Sequence, residues 1–401
     1  MFFNISDRFT PGFQPHRHDE WVVNLDTGWQ SISHQGSQIY YKGYSESADM
    51  KSIAISMAEN PVPRYKGNFA VIIVEESQIT ITNDVDRAFP IYMGNDYVSN
   101  IVDDNHHNRV WTSSICRISK NWENIIDKCN LIDVPDIKQT LSVEQAADEL
   151  KSLLIKKTNA FLKYNNVNEI NFFITGGLDV LSCLSLFRDH VDKIKIIDHE
   201  YFHYDTFTRK NRERLKKYWG YRTNSIHHWL EESWLASGSG GDEYGMRGPL
   251  TVGLWTAWHD INLLEVIKDY PFSYHYHYYI NNCKKLFEKL WSQRFEIREK
   301  FPNYQDFCVD LINNLSNDYQ HWHLGRTLTW TPLRDSEVLK IYLRLRPEEM
   351  LKQMLDGAVS KEMIASIDQN LLCGLSYYKS FNSRENVEML TGYLEILQAS
   401  H

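Results

Sequence analysis

Apolar and polar positions change their pattern along this chain near residue 135. Before that point the apolar residues come in short runs broken by turn residues. Trp21-Val22-Val23-Asn24-Leu25 reads as a strand that ends in the turn Asp26-Thr27-Gly28. Gln38-Ile39-Tyr40-Tyr41 reads as another, closed by Gly43. Met50 to Ala58 has the spacing of a short amphipathic helix. Phe69 to Val74 and Gln78 to Thr82 form an apolar hairpin across Glu75-Glu76, and Pro90-Ile91-Tyr92 and Val110-Trp111-Thr112 add two strands. Sheets with such runs pack face to face around one core, so a β-rich sandwich is expected over residues 1–135.

From 136 to 401 the pattern becomes alternating strand and helix. Ser142-Val143-Glu144-Gln145 is a capping box. It opens a helix to about Tyr164, with Ala146, Leu150, Leu153, Leu154 and Phe161 on one face. Ile170, Phe172, Phe173 and Ile174 read as a buried strand, which Thr175-Gly176-Gly177 breaks. Leu178, Leu181, Leu184, Leu186 and Phe187 then have helical spacing. Ile194 to Ile197 is a strand, Thr206 to Trp219 a basic helix with the character of a solvated face, and Asn224-Ser225-Ile226 a further strand. Trp234-Leu235-Ala236 leads into the glycine-rich turn Ser237-Gly238-Ser239-Gly240-Gly241 and the acidic pair Asp242-Glu243. Residues 250–330 look helical and aromatic. Alternation of this kind predicts a parallel sheet with ligands at the C-terminal edge of its strands.

Two stretches carry candidate chemistry. Backbone N–H groups at a glycine turn that opens a helix bind phosphate well, and Asp179 in the first turn is placed to hold a magnesium ion between phosphates. The spacing is neither the Walker loop nor Gly-x-Gly-x-x-Gly. Asp242 follows the second glycine turn as a second candidate metal ligand. A glycine loop with a helix-capping aspartate would read the same way.

Composition narrows the classes. The net charge of −9 argues against a broad nucleic-acid footprint. Cys116, Cys129, Cys183, Cys283, Cys308 and Cys373 are scattered with no C-x-x-C pair, as expected of a reduced cytoplasmic protein without a zinc signature. The opening MFFNISDRF lacks the pattern of a signal peptide, and no run approaches the ~18 apolar residues of a membrane span. The polar histidine groups His16-Arg17-His18-Asp19-Glu20 and Asp103-Asp104-Asn105-His106-His107 suit solvated turns better than a metal site.

Thr175-Gly176-Gly177-Leu178-Asp179 resembles the PP-loop of ATP pyrophosphatases, Ser-Gly-Gly-x-Asp-Ser, and the leucine points to the asparagine synthetase branch. That branch includes β-lactam synthetase and the lasso-peptide macrolactam synthetases. Thr175 keeps the usual hydroxyl; Val180 loses one, for which Ser182 is the candidate replacement. In Ser237-Gly238-Ser239-Gly240-Gly241-Asp242-Glu243 the family pattern Ser-Gly-Glu-Gly-Ala-Asp-Glu is matched at Ser237, Gly238, Gly240, Asp242 and Glu243, with Ser239 in place of a glutamate. Gly67, Phe69, Ala70, Asp84, Pro90, Tyr92 and Ser113 match structural positions of the family's N-terminal domain, and Thr331-Pro332-Leu333-Arg334-Asp335 resembles its Pro-Phe-Leu-Asp. The lysine that in the family faces pyrophosphate is not in register here. Lys379 is the nearest substitute, with Lys361 behind it.

The resemblance implies an α/β protein: a sandwich like that of class II glutamine amidotransferases, then a parallel-sheet PP-loop ATP pyrophosphatase domain with extra helices. It implies that Thr175, Gly176, Gly177, Leu178, Asp179, Ser182, Ser237, Gly238 and Gly240 hold ATP, that Asp179 and Asp242 hold Mg²⁺, and that Lys379 and Asp242 are catalytic. Adenine would lie near Ile197-Asp198. Glutaminase chemistry needs an N-terminal cysteine, but residue 2 is Phe2 and no cysteine precedes Cys116. The oxyanion segment, expected near Tyr41-Lys42-Gly43-Tyr44, keeps only its glycine. The implied activity is an AMP-forming ligase that adenylates a small-molecule or peptide carboxylate, such as a precursor peptide, and joins it to an amine. An ammonia-dependent asparagine synthetase-like enzyme and an inactive scaffold or binding protein of the same fold remain alternatives.

Overall fold

The structure is a computed structural model that describes residues 3–10, 13–26, 28–85, 91–93, 97–99, 108–110, 114–120, 122–128, 134–173, 177–197, 234–238, 240–269, 279–318, 328–372 and 395–399. Its strands are β1 (Phe3–Ser6), β2 (Gln14–His18), β3 (Trp21–Leu25), β4 (Gln30–His34), β5 (Ser37–Ser45), β6 (Gly67–Val74), β7 (Gln78–Asn83), β8 (Ile91–Met93), β9 (Tyr97–Ser99), β10 (Asn108–Val110), β11 (Ser114–Ser119), β12 (Asn124–Lys128), β13 (Ile170–Phe173), β14 (Ile194–Ile197), β15 (Trp234–Ala236) and β16 (Leu328–Trp330). The α-helices are α1 (Met50–Glu59), α2 (Val143–Tyr164), α3 (Leu178–Ser185), α4 (Gly241–Tyr244), α5 (Pro249–Trp258), α6 (Leu263–Val266), α7 (Lys284–Ser292), α8 (Arg294–Lys300), α9 (Tyr304–Asp318), α10 (Ser336–Leu343), α11 (Pro347–Asp356) and α12 (Ala358–Asp368).

The fold is mixed α/β. Two antiparallel sheets, ordered β10-β8-β9-β1-β3-β2 and β12-β11-β7-β6-β5-β4, precede a parallel sheet ordered β14-β13-β15-β16. β6 shows why its sequence is an unbroken apolar run. Its Ile72 and Val74 share a core with Phe3, Ile5, Trp21 and Val23 of the first sheet. Phe69, Val71 and Ile73 pack instead with Ile53, Ala54 and Met57 of α1. A strand covered on both faces has no solvent side to fill with polar residues. Asp49 caps α1 by accepting from Ser52 N at 3.0 Å. Gly43 has φ +125°, and a Cβ there would meet Asn68 O at 2.1 Å, so the β5–β6 pairing requires glycine.

α2 begins on the capping box read from its sequence. Ser142 Oγ accepts from Gln145 N at 3.3 Å, and Gln145 Oε1 accepts from Ser142 N at 3.0 Å. Ala146, Leu150, Leu154 and Phe161 are buried, while Leu153 lies partly buried at the margin. Phe161 stacks on Trp330 (5.3 Å between ring centroids) and meets the edge of Trp234 (4.9 Å). The helix thereby packs across β15 and β16, and β13 sits between β14 and β15 with all neighbours parallel.

The sandwich and the helical half are joined by buried contacts. Tyr44, in the segment where an oxyanion loop was expected, packs with Phe161 and Trp234 and accepts a hydrogen bond from Thr331 N at 3.2 Å. Beside it lies an ionic cluster. Lys157 donates to Glu46 at 2.6 Å and to Asp335 at 2.5 Å, and Lys66 donates to the other Asp335 oxygen at 2.8 Å. Asp335 is fully buried and also caps α10 by accepting from Glu337 N at 2.8 Å. Burial alone would raise its pKa; the charges and hydrogen bonds of Lys157 and Lys66 hold it far below the usual carboxylate range.

His259 follows α5 and lies against Trp255 (ring centroids 3.9 Å) and Tyr304 (5.7 Å). Burial, and then the charge of Arg298, lowers its pKa to about 4. The folded value lies below the unfolded one, so its contribution is complete above about pH 6.5 and is lost as pH falls toward 4. The urea midpoint of the wild type should therefore drop between pH 7 and pH 5 by more than that of His259→Phe. Equal drops would show that this histidine does not govern the acid side.

The described cysteines Cys116, Cys183, Cys283 and Cys308 are buried. No helix among the described residues is long and apolar enough to cross a membrane. The basic helix expected over 206–219 and the strand at 224–226 lie outside the described residues, as do His106 and His107.

Candidate functional site

β13 and β15 are parallel neighbours, and each ends at one of the two glycine turns. Their C-terminal ends therefore bring together residues far apart in sequence. Of the first turn, Thr175 and Gly176 lie outside the described residues. Gly177 is the N-cap of α3 with no side-chain cap, and Asp179 stands in the first turn of that helix.

The two turns interlock. A Cβ at Gly238 would lie 2.6 Å from Asp179 Cβ and 2.8 Å from Val180 N. A Cβ at Gly241 would lie 2.3 Å from Asp179 Cγ. Gly240 has φ +84° and rests on Arg334, the residue next to the buried Asp335. These glycines let the backbone of the second turn lie directly against Asp179. Ser237 anchors that turn to the sheet, its N–H donating to Trp330 O at 2.9 Å.

Asp179 and Asp242 meet on a residue that sequence reasoning missed. Arg247 Nη2 pairs with Asp179 Oδ1 and lies 3.4 Å from Asp242 Oδ1. The loop from Asp242 builds this placement. Asp242 O accepts from both Arg247 N and Gly248 N at 2.7 Å. Tyr279 Oη donates to Arg247 O at 2.6 Å, and Gln353 Nε2 donates to Gly245 O at 2.7 Å. The Arg247 side chain is 4% exposed, and its Nε has no hydrogen-bond partner among the described residues. Burial lowers its pKa, but a guanidinium remains charged at any physiological pH.

Asp242 is half exposed, yet the surrounding protein, and then the charge of Glu243, raise its pKa to about 6. Glu243 is also raised, chiefly by burial, with Arg334 opposing. Carboxylates that resist ionisation this way favour a nearby cation. Two carboxylates meeting on one cationic nitrogen are also the hard-oxygen donors that magnesium uses, so Asp179 and Asp242 suit that ion. No cluster of three or more His, Cys, Asp or Glu residues suited to a metal occurs among the described residues.

Other expected residues fall differently. Ser182 is buried, and its hydroxyl donates to Leu178 O at 2.8 Å. In this state the hydroxyl is turned back on the carbonyl of its own helix. The Leu178 side chain belongs to the core and touches the turn at Gly357. Lys379 lies outside the described residues, and Lys361 donates to Asp356 at 2.7 Å. Asp198, beside the expected adenine position, also lies outside them. A cleft of about 670 Å³ lined by Asp136, Asp148, Glu149, Ser152, Glu337 and Lys340 shares no residue with the glycine turns.

The molecule is thus an α/β protein of antiparallel sheets followed by a parallel sheet, with an acidic pair at the parallel strand ends. No protein-family model matches the chain, and no curated protein matches it. Among solved structures it is similar to the glutamine phosphoribosylpyrophosphate amidotransferase from B. subtilis complexed with ADP and GMP, at 9% identity and a TM-score of 0.21, over 63% of this chain and 71% of that one. A likeness at that score carries no argument about fold or function.

Proposed function

We propose that the chain is an ATP-dependent ligase that adenylates a carboxylate, releases pyrophosphate and passes the acyl group to an amine. In this reading the C-terminal half is a PP-loop domain and the sandwich a class II amidotransferase-like scaffold without glutaminase activity. The observation that carries it is the meeting of Asp179 and Asp242 across two interlocked glycine turns at the ends of parallel strands.

ATP would lie over the first turn. The N-terminus of α3 favours its phosphates, and the glycine backbone of the second turn allows close approach. Asp179 and Asp242 would hold Mg²⁺, which supplies charge neutralisation for the phosphates. The rest would be positioning: the sheet fixes both turns, and the strand ends would hold the carboxylate against the α-phosphate. Attack of that carboxylate on the α-phosphorus forms the acyl–phosphate bond and breaks the bond to pyrophosphate. Attack of an amine on the acyl carbon then forms the amide and releases AMP. Lys379 remains the proposed basic group facing the leaving pyrophosphate.

A second reading, an inactive scaffold or binding protein, is favoured by Arg247, whose guanidinium already neutralises both carboxylates. Exchange of labelled pyrophosphate into ATP separates the two. Exchange that appears only when a carboxylate from a panel of amino acids and peptides is added, and that disappears in Asp179→Asn, supports the ligase. Nucleotide binding without exchange across the panel favours the scaffold.

A further inference from the structure

Arg247 is built into the site, yet no motif pointed to it. It is nine-tenths buried, belongs to the loop that carries Asp242, and reaches Asp179 on the other turn. Its backbone is held by Asp242, Tyr279 and, through Gly245, by Gln353. One guanidinium nitrogen serves both carboxylates, while Nε has no partner among the described residues. An orphaned buried N–H costs free energy, so the Arg247 fork keeps a donor that a ligand can satisfy. Through Nη2 the same side chain reaches Asp179 in the first turn of α3, and a guanidinium at a helix N-terminus suits an anionic ligand with several oxygens.

The charge balance points the same way. Asp179, Asp242 and Glu243 together repel a polyphosphate. Arg247 is the cation that the structure places on two of them, and its planar fork matches phosphate oxygens as an ammonium does not. We propose that Arg247 is a phosphate-binding residue of this site. It holds the two carboxylates together in the ligand-free protein and donates to the polyphosphate of ATP, or to inorganic pyrophosphate, when either is bound. This rests on the nucleotide-site reading above and extends it to a residue that supplies part of the positive charge otherwise sought in a lysine.

The test is calorimetric titration of the full chain with inorganic pyrophosphate, ATP and adenosine, each in the presence of Mg²⁺. Wild type, Arg247→Lys and Arg247→Gln are compared. Arg247→Lys keeps the charge and loses the fork, so affinity for pyrophosphate and ATP should fall by about tenfold or more while that for adenosine is unchanged. Arg247→Gln should lose pyrophosphate binding. If Arg247→Gln does not fold, Arg247→Lys decides alone. Pyrophosphate binding by Arg247→Lys as tight as by wild type would reduce Arg247 to a counter-ion and overturn the proposal while leaving the nucleotide site intact. Wild type that binds neither ATP nor pyrophosphate would overturn the nucleotide-site reading itself, and the proposal with it.

Discussion

Asp335→Ala is expected to destabilise the protein by about 3–5 kcal/mol, the largest effect of any single substitution considered. The carboxylate is wholly buried and accepts from Lys157, Lys66 and the N-terminus of α10. Its removal takes a carboxylate from buried Lys157, which still pairs with Glu46, and one from the partly exposed Lys66. The cost is mainly that of buried charge left undercompensated, and less the intrinsic strength of the pair. Because the folded pKa is depressed, this stability is complete above about pH 4 and is lost as pH falls through the folded value. Urea unfolding at pH 7 measures the effect. A loss under about 1 kcal/mol would mean that the cluster is solvated and does not tie the sandwich to the helical half. The consequence for the site is indirect but specific: Arg334, the neighbour of Asp335, supports the glycine at 240.

Gly238→Ala should be the most damaging change at the site itself. Its Cβ would approach backbone atoms, the Asp179 carbonyl carbon at 2.7 Å and Val180 N at 2.8 Å, and neither can swing aside. One of the two turns must shift, at about 1–3 kcal/mol. The shift separates Asp179 from the Asp242 loop, so nucleotide binding should weaken more than stability does. Chemical denaturation and ATP titration on the same variant distinguish the two effects. Wild-type values for both would show that the turns are not in close contact.

Much of the scaffold was legible in the chain because its signals are local. The α2 boundaries follow from one capping box and an apolar stripe, and β6 and β7 from an apolar hairpin. The parallel pairing of β13 with β15 followed from strand–helix alternation. The partners of Asp335 were not legible, because Lys66 and Lys157 lie far away in sequence and in different elements. The stretch Thr331 to Asp335 resembles a family motif in sequence. It does cap α10, but its aspartate is chiefly an ionic link to the sandwich. Tyr44 is a similar case: it lies where an oxyanion loop was expected, yet its ring packs on Phe161 and Trp234 in the core of the helical half. Arg247 escaped because a lone arginine after a glycine turn has no periodicity. The usable signal was its position shortly after the Asp242-Glu243 pair, on a loop with glycines at 245 and 248 that brings it back toward the first turn. Ser182 shows the opposite limit of spacing. Sequence spacing placed a hydroxyl near the turn, and only the helix geometry shows it bonded to Leu178.

The decisive measurement is the melting temperature with and without MgATP for wild type and Asp242→Asn. At about 100 times its dissociation constant, ATP should stabilise the wild type by about 2.7 kcal/mol. A clear upward shift in the wild type that is lost in Asp242→Asn is the result expected of a metal-dependent nucleotide site built on Asp179 and Asp242. No shift in the wild type at millimolar MgATP, or an equal shift in both proteins, would contradict it.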